Sequence, residues 1–169
     1  TNLGGISYFN PSTTAFEHYI HKPGKNNSLS DNNVLSLLVT ENGDYWIGGS
    51  EGGLNRLNYQ NKSVSRYTAA DGKQNGPASN SIQTLFEDQS GTIWIGNHSS
   101  GLDAFNPATE RFIHYKHDPT DTTTLSDNRV YALAEDAEGH IWVGTYAGGV
   151  NRINTETGQI LRFQSDEID

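Results

Sequence analysis

Paired histidines are the first residues in this chain whose spacing could support chemistry. Four of the six histidines form two pairs with members three residues apart: His18 and His21, and His114 and His117. Imidazole nitrogens are frequent metal ligands. In the sequence repeat described below, the equivalent positions of the other copies hold Arg66, Ala69, Arg162 and Ser165. Because such different side chains occupy equivalent positions, we predict that the four histidines lie on the surface and bind no metal.

Adjacent carboxylates are the second candidate for chemistry, because paired acids can share acid–base work. They occur as Glu87-Asp88 and Glu135-Asp136. Neighbouring residues of a strand point to opposite faces, so the two acids of a pair cannot act on one substrate. We predict instead that they end a strand and shape the turn that follows. The segment 88–91 lacks the alternating acids and distal glutamate of a calcium loop, so we expect no metal there.

Other catalytic arrangements are missing from the sequence. The chain has no cysteine, which excludes disulfides, thiolate metal sites and a cysteine nucleophile. No combination of a serine, a histidine and an acidic residue suggests a catalytic triad, and no glycine-rich segment fits a phosphate-binding loop. We therefore expect neither enzymatic activity nor a cofactor. A net charge of −9 would repel phosphate backbones, so we expect no nucleic-acid partner.

A sequence repeat of constant length positions all of these side chains. The three tryptophans are Trp46, Trp94 and Trp142, so the step is 94 − 46 = 48 and again 142 − 94 = 48. Further columns with the same step and no gaps are Gly5, Gly53, Gly101 and Gly149; Asn32, Asn80 and Asn128; and Tyr19, Tyr67, Tyr115 and Phe163. The 169 residues therefore hold about three and a half copies.

Each copy is predicted to form a sheet of four short strands joined by tight turns. In the last copy we expect these strands at 130–135, 140–145, 150–154 and 159–164. Four strands and one tryptophan per copy are typical of a β-propeller, in which each blade covers its neighbour and the tryptophan fills the space between them. The predicted fold class is all-β, a propeller of antiparallel four-stranded blades. The single domain 1–169 is divided into outer strands of a partial blade over 1–29 and blades over 30–77, 78–125 and 126–169.

Three and a half blades are too few for a closed ring, which usually has about four to eight. The chain also contains no methionine, so we expect residue 1 not to be a natural start and the chain to be a fragment. We expect a ring of about seven blades, completed by the remaining blades of a longer parent protein. A homodimer is the alternative, since two copies supply about seven blades' worth of residues, although with an uneven set of strands.

The third copy carries the most informative motif. It reads Asn-x-Val at 128–130, Glu-Asp-x-x-Gly-x-Ile-Trp-Val-Gly-Thr at 135–145 and Gly-Gly-Val-Asn-Arg at 148–152. This motif resembles the two-component regulator propeller repeat, and the resemblance covers essentially the whole chain. The second copy departs from it, with Asn-His-Ser-Ser-Gly at 97–101 in place of the double glycine.

The resemblance implies a function that composition and spacing do not show. Propellers of this family form the periplasmic sensor part of membrane histidine kinases, including hybrid kinases, and related architectures end in diguanylate cyclases. Some members sense oligosaccharides released from polysaccharides. The resemblance therefore implies a periplasmic domain with a small-molecule ligand, and the output domain would lie elsewhere in the parent protein.

Ligands of propellers usually bind where the blade-linking loops meet the connections between the second and third strands, because loops on a rigid scaffold carry function. At these positions the residues differ from copy to copy. The candidate ligand-binding residues are Asn33, Glu51, His98, Arg129 and Tyr146. Tyrosine combines an apolar face with a polar tip and arginine offers planar donors, which suits a sugar or a carboxylate.

Two other functions remain open from the sequence. A protein-interaction platform, a frequent use of repeat folds, would bind a partner protein and no small molecule. An enzyme similar to the streptogramin lyases, which use a histidine and a divalent metal on the ring face, would need histidines there. The sequence offers only His98 at that face.

Overall fold

A computed structural model of the protein describes residues 4–12, 15–69 and 76–164. These residues form strands and no helix, and accordingly no helix that could cross a membrane. The strands are β1 (Ile6–Asn10), β2 (Ala15–Tyr19), β3 (Val34–Val39), β4 (Asp44–Gly49), β5 (Leu54–Asn58), β6 (Ser63–Tyr67), β7 (Ile82–Glu87), β8 (Ile93–Asn97), β9 (Leu102–Asn106), β10 (Arg111–Tyr115), β11 (Val130–Glu135), β12 (Ile141–Thr145), β13 (Val150–Ile153) and β14 (Ile160–Phe163).

The strands form four antiparallel sheets that follow one another along the chain. β1 and β2 make a two-stranded sheet, the half-blade, and then β3–β6, β7–β10 and β11–β14 make the four-stranded blades 1, 2 and 3. The first strands of neighbouring blades contact one another, which places them at the inner edge of a propeller. The predicted architecture of about three and a half antiparallel blades is confirmed.

The hydrophobic core lies between the blades. Between blades 1 and 2, buried Trp46 and Leu54 pack with Ile82, Ile93 and Phe105. The cluster between blades 2 and 3 includes Trp94, Leu102, Val130, Ile141 and Val143. Each blade therefore depends on its neighbours to remove its apolar side chains from water.

The acids of the first hairpin have the predicted structural role. Asp88 follows the first strand of blade 2, and its Oδ1 accepts the backbone N–H of Thr92 at 2.9 Å. Its Oδ2 accepts the indole N–H of Trp94 at 2.7 Å, and Asp136 accepts that of Trp142 at 2.7 Å. The prediction that these acids end a strand and shape the turn is confirmed. Their second role is to satisfy the indole N–H that the packed tryptophan removes from water.

This turn makes the stability of the protein pH-dependent. Burial alone would raise the pKa of Asp136, but hydrogen bonds from Trp142 and His140 outweigh it and lower the pKa to about 2. A carboxylate with a depressed folded-state pKa stabilises the fold above its ordinary pKa of 3.8. We therefore expect this contribution at neutral pH and its loss as the pH falls from about 4 toward 2.

Urea denaturation between neutral pH and pH 2 measures this dependence. The midpoint should fall less steeply with acid in the Asp136→Asn variant than in the unchanged protein, because the amide keeps the shape of the turn without titrating. Glu138→Gln is the matched control, since Glu138 is an exposed acid in the same turn and should leave the slope unchanged. Identical slopes for Asp136→Asn and the unchanged protein would contradict the assignment.

The connections that lead into each blade are held by recurring columns of the repeat. The side-chain oxygen of Asn128 accepts the backbone N–H of His117 at 2.8 Å. The ring Nδ1 of His117 lies 2.7 Å from the carbonyl oxygen of Leu125. Asn32 and His21 make the equivalent contacts before blade 1. The asparagine of this column therefore offers an acceptor to a backbone donor of the connection.

An arginine of the last strand binds the same connection from the other side. Nε of Arg162 donates to the carbonyl of Thr124 at 2.8 Å, and Nη2 donates to the carbonyl of Leu125 at 2.9 Å. Arg66 makes the equivalent bonds to the segment 25–29. Each guanidinium joins the last strand of a blade to the loop that leads into the first strand of that blade.

Blades 1 and 3 share a packing arrangement at the entry to the first strand. In blade 3 the side-chain amide of Asn151 donates to the hydroxyl of Ser126 at 2.8 Å. A Cβ added to Gly148 would lie only 2.5 Å from that hydroxyl oxygen. The Cβ and the backbone carbonyl carbon of Ser126 would each lie 2.8 Å away, so the approach of this whole residue requires glycine at position 148. Blade 1 has the same three residue types, in Asn55, Ser30 and Gly52.

Blade 2 changes these three positions together, to Asp103, Ala78 and Ser100. Ala78 lacks the hydroxyl group of the equivalent serines, which is the nearest atom that a side chain at position 100 would meet. The buried carboxylate of Asp103 accepts the backbone N–H of Ala78 at 2.8 Å and the amide of Asn97 at 3.0 Å. It also lies 2.6 Å from Nδ1 of His114. In blade 2, Asp103 thus binds the entry segment directly through the backbone N–H of Ala78, where blades 1 and 3 use an asparagine and a serine hydroxyl.

Candidate functional site

The two predicted loop regions meet in every blade. The backbone N–H at the start of the second-to-third strand connection donates to the carbonyl of the residue that precedes the first strand. This bond joins Ser50 to Asn33 at 2.9 Å and Tyr146 to Arg129 at 3.0 Å. In blade 2 it joins His98 to Ser81 at 3.1 Å. All five candidate residues therefore lie at the same end of their blades.

Contacts bring Arg129 and Tyr146 together. The guanidinium carbon of Arg129 lies 4.4 Å from the ring centroid of Tyr146, a cation–π distance. The ring of Tyr131 lies 5.9 Å from that of Tyr146. Tyr146 is 67% exposed and Tyr131 is also exposed, so both rings are accessible to a ligand. We call Asp127, Arg129, Tyr131 and Tyr146 the Arg129 cluster.

A β-bulge places Tyr131 in this cluster. The pairing of β11 with β12 shifts between Val130 and Ala132, so Tyr131 is the extra residue. Blades 1 and 2 have the same bulge, at Leu35 and Gln83. Bulges redirect a side chain and are frequent near functional sites. Sequence reasoning missed Tyr131, although the column's change from leucine to glutamine to tyrosine was a signal that could have identified it.

An ion pair fixes the arginine of the cluster. Nε of Arg129 donates to Oδ1 of Asp127 at 3.1 Å, and Nη2 donates to Oδ2 at 2.7 Å. This side-chain hydrogen bonding lowers the pKa of Asp127 and raises that of Arg129, so both stay charged at physiological pH. A guanidinium has five N–H donors, and two are used in this pair. The other donors are free, among the described residues, to meet an acceptor on a ligand beside the tyrosine rings.

The three remaining candidates lie on other blades. Asn33 and Glu51 belong to blade 1, where Asp31 accepts the backbone N–H of each, at 3.0 and 3.1 Å. His98 is an exposed residue of blade 2, at the position equivalent to Tyr146. Among the five candidates, and within the described ranges, only Arg129 and Tyr146 contact one another through their side chains.

Metal ligands are grouped at the opposite end of blade 3. Over the ranges that the structure describes, the single group of acid and histidine side chains close enough to hold a metal is Asp136, Glu138 and His140. Asp136 is already used by Trp142, so we assign this turn a structural role. None of the four paired histidines belongs to the group. His18 and His114 are exposed as predicted, whereas the prediction is wrong for His21 and His117, which are half-buried in the blade connections.

A cleft of about 750 Å³ lies between the outer parts of blades 2 and 3, beside Ala104 and Trp94. In the other blades the position of Ala104 holds an arginine whose guanidinium lies over the tryptophan. The guanidinium carbon lies 5.5 Å from the ring centroid of Trp46 for Arg56 and 5.9 Å from that of Trp142 for Arg152. The cleft is therefore the space that the smaller alanine leaves open, and it is separate from the Arg129 cluster.

Comparison with known proteins identifies the repeat. The two component regulator propeller model matches residues 28–51, 76–99 and 124–147. Each match spans the entry, the first two strands and the connection that carries the candidate residues. No curated protein matches the chain.

Similar solved structures include extracellular domains of putative hybrid two-component systems. The extracellular domain of the putative hybrid two-component system BT3049 from B. thetaiotaomicron is 26% identical, with a TM-score of 0.71, over 79% of this chain and 18% of that chain. That of BT4673 from the same organism is 22% identical, with a TM-score of 0.73, over 98% and 22%. Virginiamycin B lyase from Staphylococcus aureus is 16% identical, with a TM-score of 0.60, over 79% and 41%, which shows the fold alone. This chain thus spans less than a quarter of the length of these two extracellular domains.

Proposed function

We propose that this chain, a member of the two component regulator propeller family with three copies of its repeat, is a ligand-sensing segment of an extracytoplasmic receptor. The observation that carries the proposal is the Arg129 cluster, in which two exposed tyrosine rings flank an arginine with unused donors. These groups lie at the loop end of a rigid sheet, where propellers bind their ligands. The cluster has no arrangement for bond breaking, so we infer a binding module and not an enzyme.

The chemistry of the cluster favours a carbohydrate-like ligand. An exposed tyrosine ring offers a flat apolar surface with a polar tip, which suits the mixed apolar and hydroxylated faces of a sugar. The guanidinium offers planar donors to hydroxyl or carboxylate oxygens. Because Asp127 already neutralises Arg129, the cluster does not depend on an anionic ligand. A neutral or mildly acidic oligosaccharide fits these properties.

The related structures support the location that we propose. Two of them are extracellular domains of putative hybrid two-component systems. We infer by analogy that this chain works outside the cytoplasm, in the periplasm, as part of a receptor whose output domain is a histidine kinase. The remaining blades of the parent protein would then be its structural partners.

A protein-interaction platform is the second candidate function. Propellers often present loops to a protein partner, and exposed tyrosine and arginine are frequent at the centre of interfaces. Enzymatic activity is a weaker candidate than either of these functions. The likeness to a lyase supports it little, because the same fold serves many functions and His98 is the one histidine among the predicted site residues.

Ligand-induced stabilisation tests the sensor proposal. We expect one or more members of a panel of neutral and acidic oligosaccharides to raise the thermal midpoint by a few degrees, since a ligand at about 100 times its dissociation constant stabilises by about 2.7 kcal/mol. Tyr146→Ala should abolish the shift by removing the ring that stacks on Arg129. Glu156→Ala, at the other end of β13 in the same blade, is the matched control and should keep it.

Each other result has a defined meaning. A shift that survives Tyr146→Ala would keep the sensor function and reject the Arg129 cluster as its site. The absence of a shift across the whole panel would contradict a carbohydrate ligand and favour the interaction platform.

A further inference from the structure

The cleft beside Trp94 lies between two complete blades, blades 2 and 3. Its counterpart between blades 1 and 2 is lined at equivalent positions by Trp46, Arg56 and the turn that follows β9. That counterpart measures about 190 Å³, against about 750 Å³ for the cleft. The difference coincides with one column of the repeat, in which Arg56 of blade 1 and Arg152 of blade 3 are replaced by Ala104 in blade 2. The repeat therefore shows which side chain fills this space in the other blades.

In blade 1 the arginine of this column contacts aromatic and acidic groups. The guanidinium carbon of Arg56 lies 5.5 Å from the ring centroid of Trp46, and Nε donates to Oδ2 of Asp44 at 2.7 Å. Burial and Glu110 raise the pKa of Tyr67, and the charge of Arg56 opposes that rise, so the guanidinium also lies near this phenol. The arginine of blade 1 is thus surrounded by a tryptophan, a tyrosine and a carboxylate.

The cleft has the same three kinds of group without the arginine. Trp94 and Tyr115 line it in the columns of the tryptophan and the tyrosine just described. Asp88 supplies a carboxylate from the first hairpin turn of blade 2. Its Oδ2 accepts the indole N–H of Trp94 and, among the described residues, no second hydrogen bond, so it can accept another donor. Burial raises the pKa of Tyr115, and no charged group of the described chain opposes that rise.

A row of apolar side chains leads into the cleft. Ile113, Ala104 and Trp94 are register neighbours across β10, β9 and β8, and all three line the cleft. Ile113 is 59% exposed although blade 2 packs against a blade on either side. Such a row, ending at an aromatic ring and a carboxylate, suits a cationic group on an aliphatic stem.

The charges of the lining favour a cation as well. The charged residues that line the cleft are two acids, Asp88 and Glu156, and one base, Arg111, which leaves one negative charge in excess. Glu156 and Arg111 come from different blades and oppose each other in sign, whereas Asp88 lies beside Trp94, the ring that would receive a guanidinium. The excess charge is therefore found where the other blades place their arginine.

We propose that the cleft binds the side chain of an arginine from a partner protein, with the guanidinium beside Trp94 and Asp88 and the stem along Ala104 and Ile113. The bound arginine takes the place that each neighbouring blade fills from its own chain. A polypeptide is the source that we favour, because the cleft is much larger than its counterpart and leaves room for the backbone that carries the side chain. Arginine is also frequent among the residues that anchor protein interfaces. This site does not depend on the oligosaccharide proposed for the Arg129 cluster.

The indole N–H resonances of the three tryptophans allow NMR to test this site, with N-acetyl-L-arginine amide as the probe for an arginine within a polypeptide. We expect the Trp94 resonance to shift saturably as the probe is added. The resonances of Trp46 and Trp142 should stay in place, because Arg56 and Arg152 already lie beside those rings. N-acetyl-L-citrulline amide has nearly the same shape without the charge, so it should bind about tenfold more weakly.

Ala104→Arg restores the arginine of this column within blade 2 and should abolish the response of Trp94 to the probe. Circular dichroism verifies that the variant is folded. Thr122→Arg is the matched control, because it adds the same charge at an exposed position of the connection into blade 3, and it should keep the response. Ile113→Ser introduces the residue that blade 1 has in this column, and it should raise the dissociation constant about fivefold by removing the apolar wall.

Several results would overturn the proposal. One is a Trp94 resonance that does not respond to the arginine probe, and another is equal binding of the arginine and citrulline probes. A response that persists in folded Ala104→Arg, or an unchanged dissociation constant in Ile113→Ser, would also overturn it. So would tighter binding of propylguanidinium than of the arginine probe, because the cleft would then suit a free organic cation and not the arginine of a partner protein.

Discussion

Replacing Trp94 by alanine is expected to lower the free energy of unfolding by about 3–5 kcal/mol, the range for a large aromatic residue removed from a packed core. Trp94 is 3% exposed and lies in the cluster between blades 2 and 3. Its substitution leaves a cavity between the two sheets, and it leaves Asp88 without the indole N–H that it accepts at 2.7 Å. Both effects act in the same direction.

Trp142→Ala is the matched control, because Trp142 occupies the same column on the side of blade 3 that faces away from blade 2. The native Trp142 donates the equivalent hydrogen bond to Asp136, which the substitution also removes, but its ring is covered on one side only. We therefore expect about half the loss found for Trp94→Ala. Urea denaturation of both variants measures the difference. A loss from Trp142→Ala as large as that from Trp94→Ala would contradict the interblade core described above.

Replacing Gly101 by alanine is expected to be the most damaging change outside the core. Its φ of 84° lies in the left-handed region, which costs other residues about 1–2 kcal/mol. An added Cβ would also lie 2.1 Å from the carbonyl oxygen of Tyr115. Because this neighbour is backbone of the adjacent strand, it cannot rotate away as a side chain would. We expect a total loss of about 3–4 kcal/mol, in the upper range for single substitutions.

Gly91→Ala separates the two causes of that loss. Gly91 has a similar φ of 80°, but an added Cβ would meet no atom within 4 Å. We therefore expect the conformational cost alone, about 1 kcal/mol. Thermal or urea denaturation of the two variants side by side gives the comparison. Equal losses would show that the approach to the Tyr115 carbonyl has no energetic consequence.

The order of the strands was predictable because every blade has the same length. The strands expected at 130–135 and 150–154 are found at Val130–Glu135 and Val150–Ile153. With a constant, gap-free step, a turn recognised in one copy locates the turns in all of them. The role of Asp88 as a turn former followed in the same way, since an acid at the end of a strand has few other uses.

The composition of the site was less predictable. The bulge at Tyr131 leaves no gap in the repeat, because blades 1 and 2 have a bulge at the same position. The ion pair between Asp127 and Arg129 also gave no signal, since aspartate two residues before that position is present in blade 1 without an arginine. Spacing identifies which loop a residue occupies, whereas the direction of its side chain depends on local backbone geometry.

The coordinated change at Ala78, Ser100 and Asp103 has a consequence for engineering and for the history of the gene. A library that shuffles the three repeats column by column would pair Ser100 with a serine of the Ser126 type, although that hydroxyl lies 2.5 Å from the Cβ position of the column. Exchanging whole repeat units avoids this conflict, because each unit carries its own matching set. The blade, and not the single residue, is therefore the unit that recombination or consensus design can transfer between such propellers.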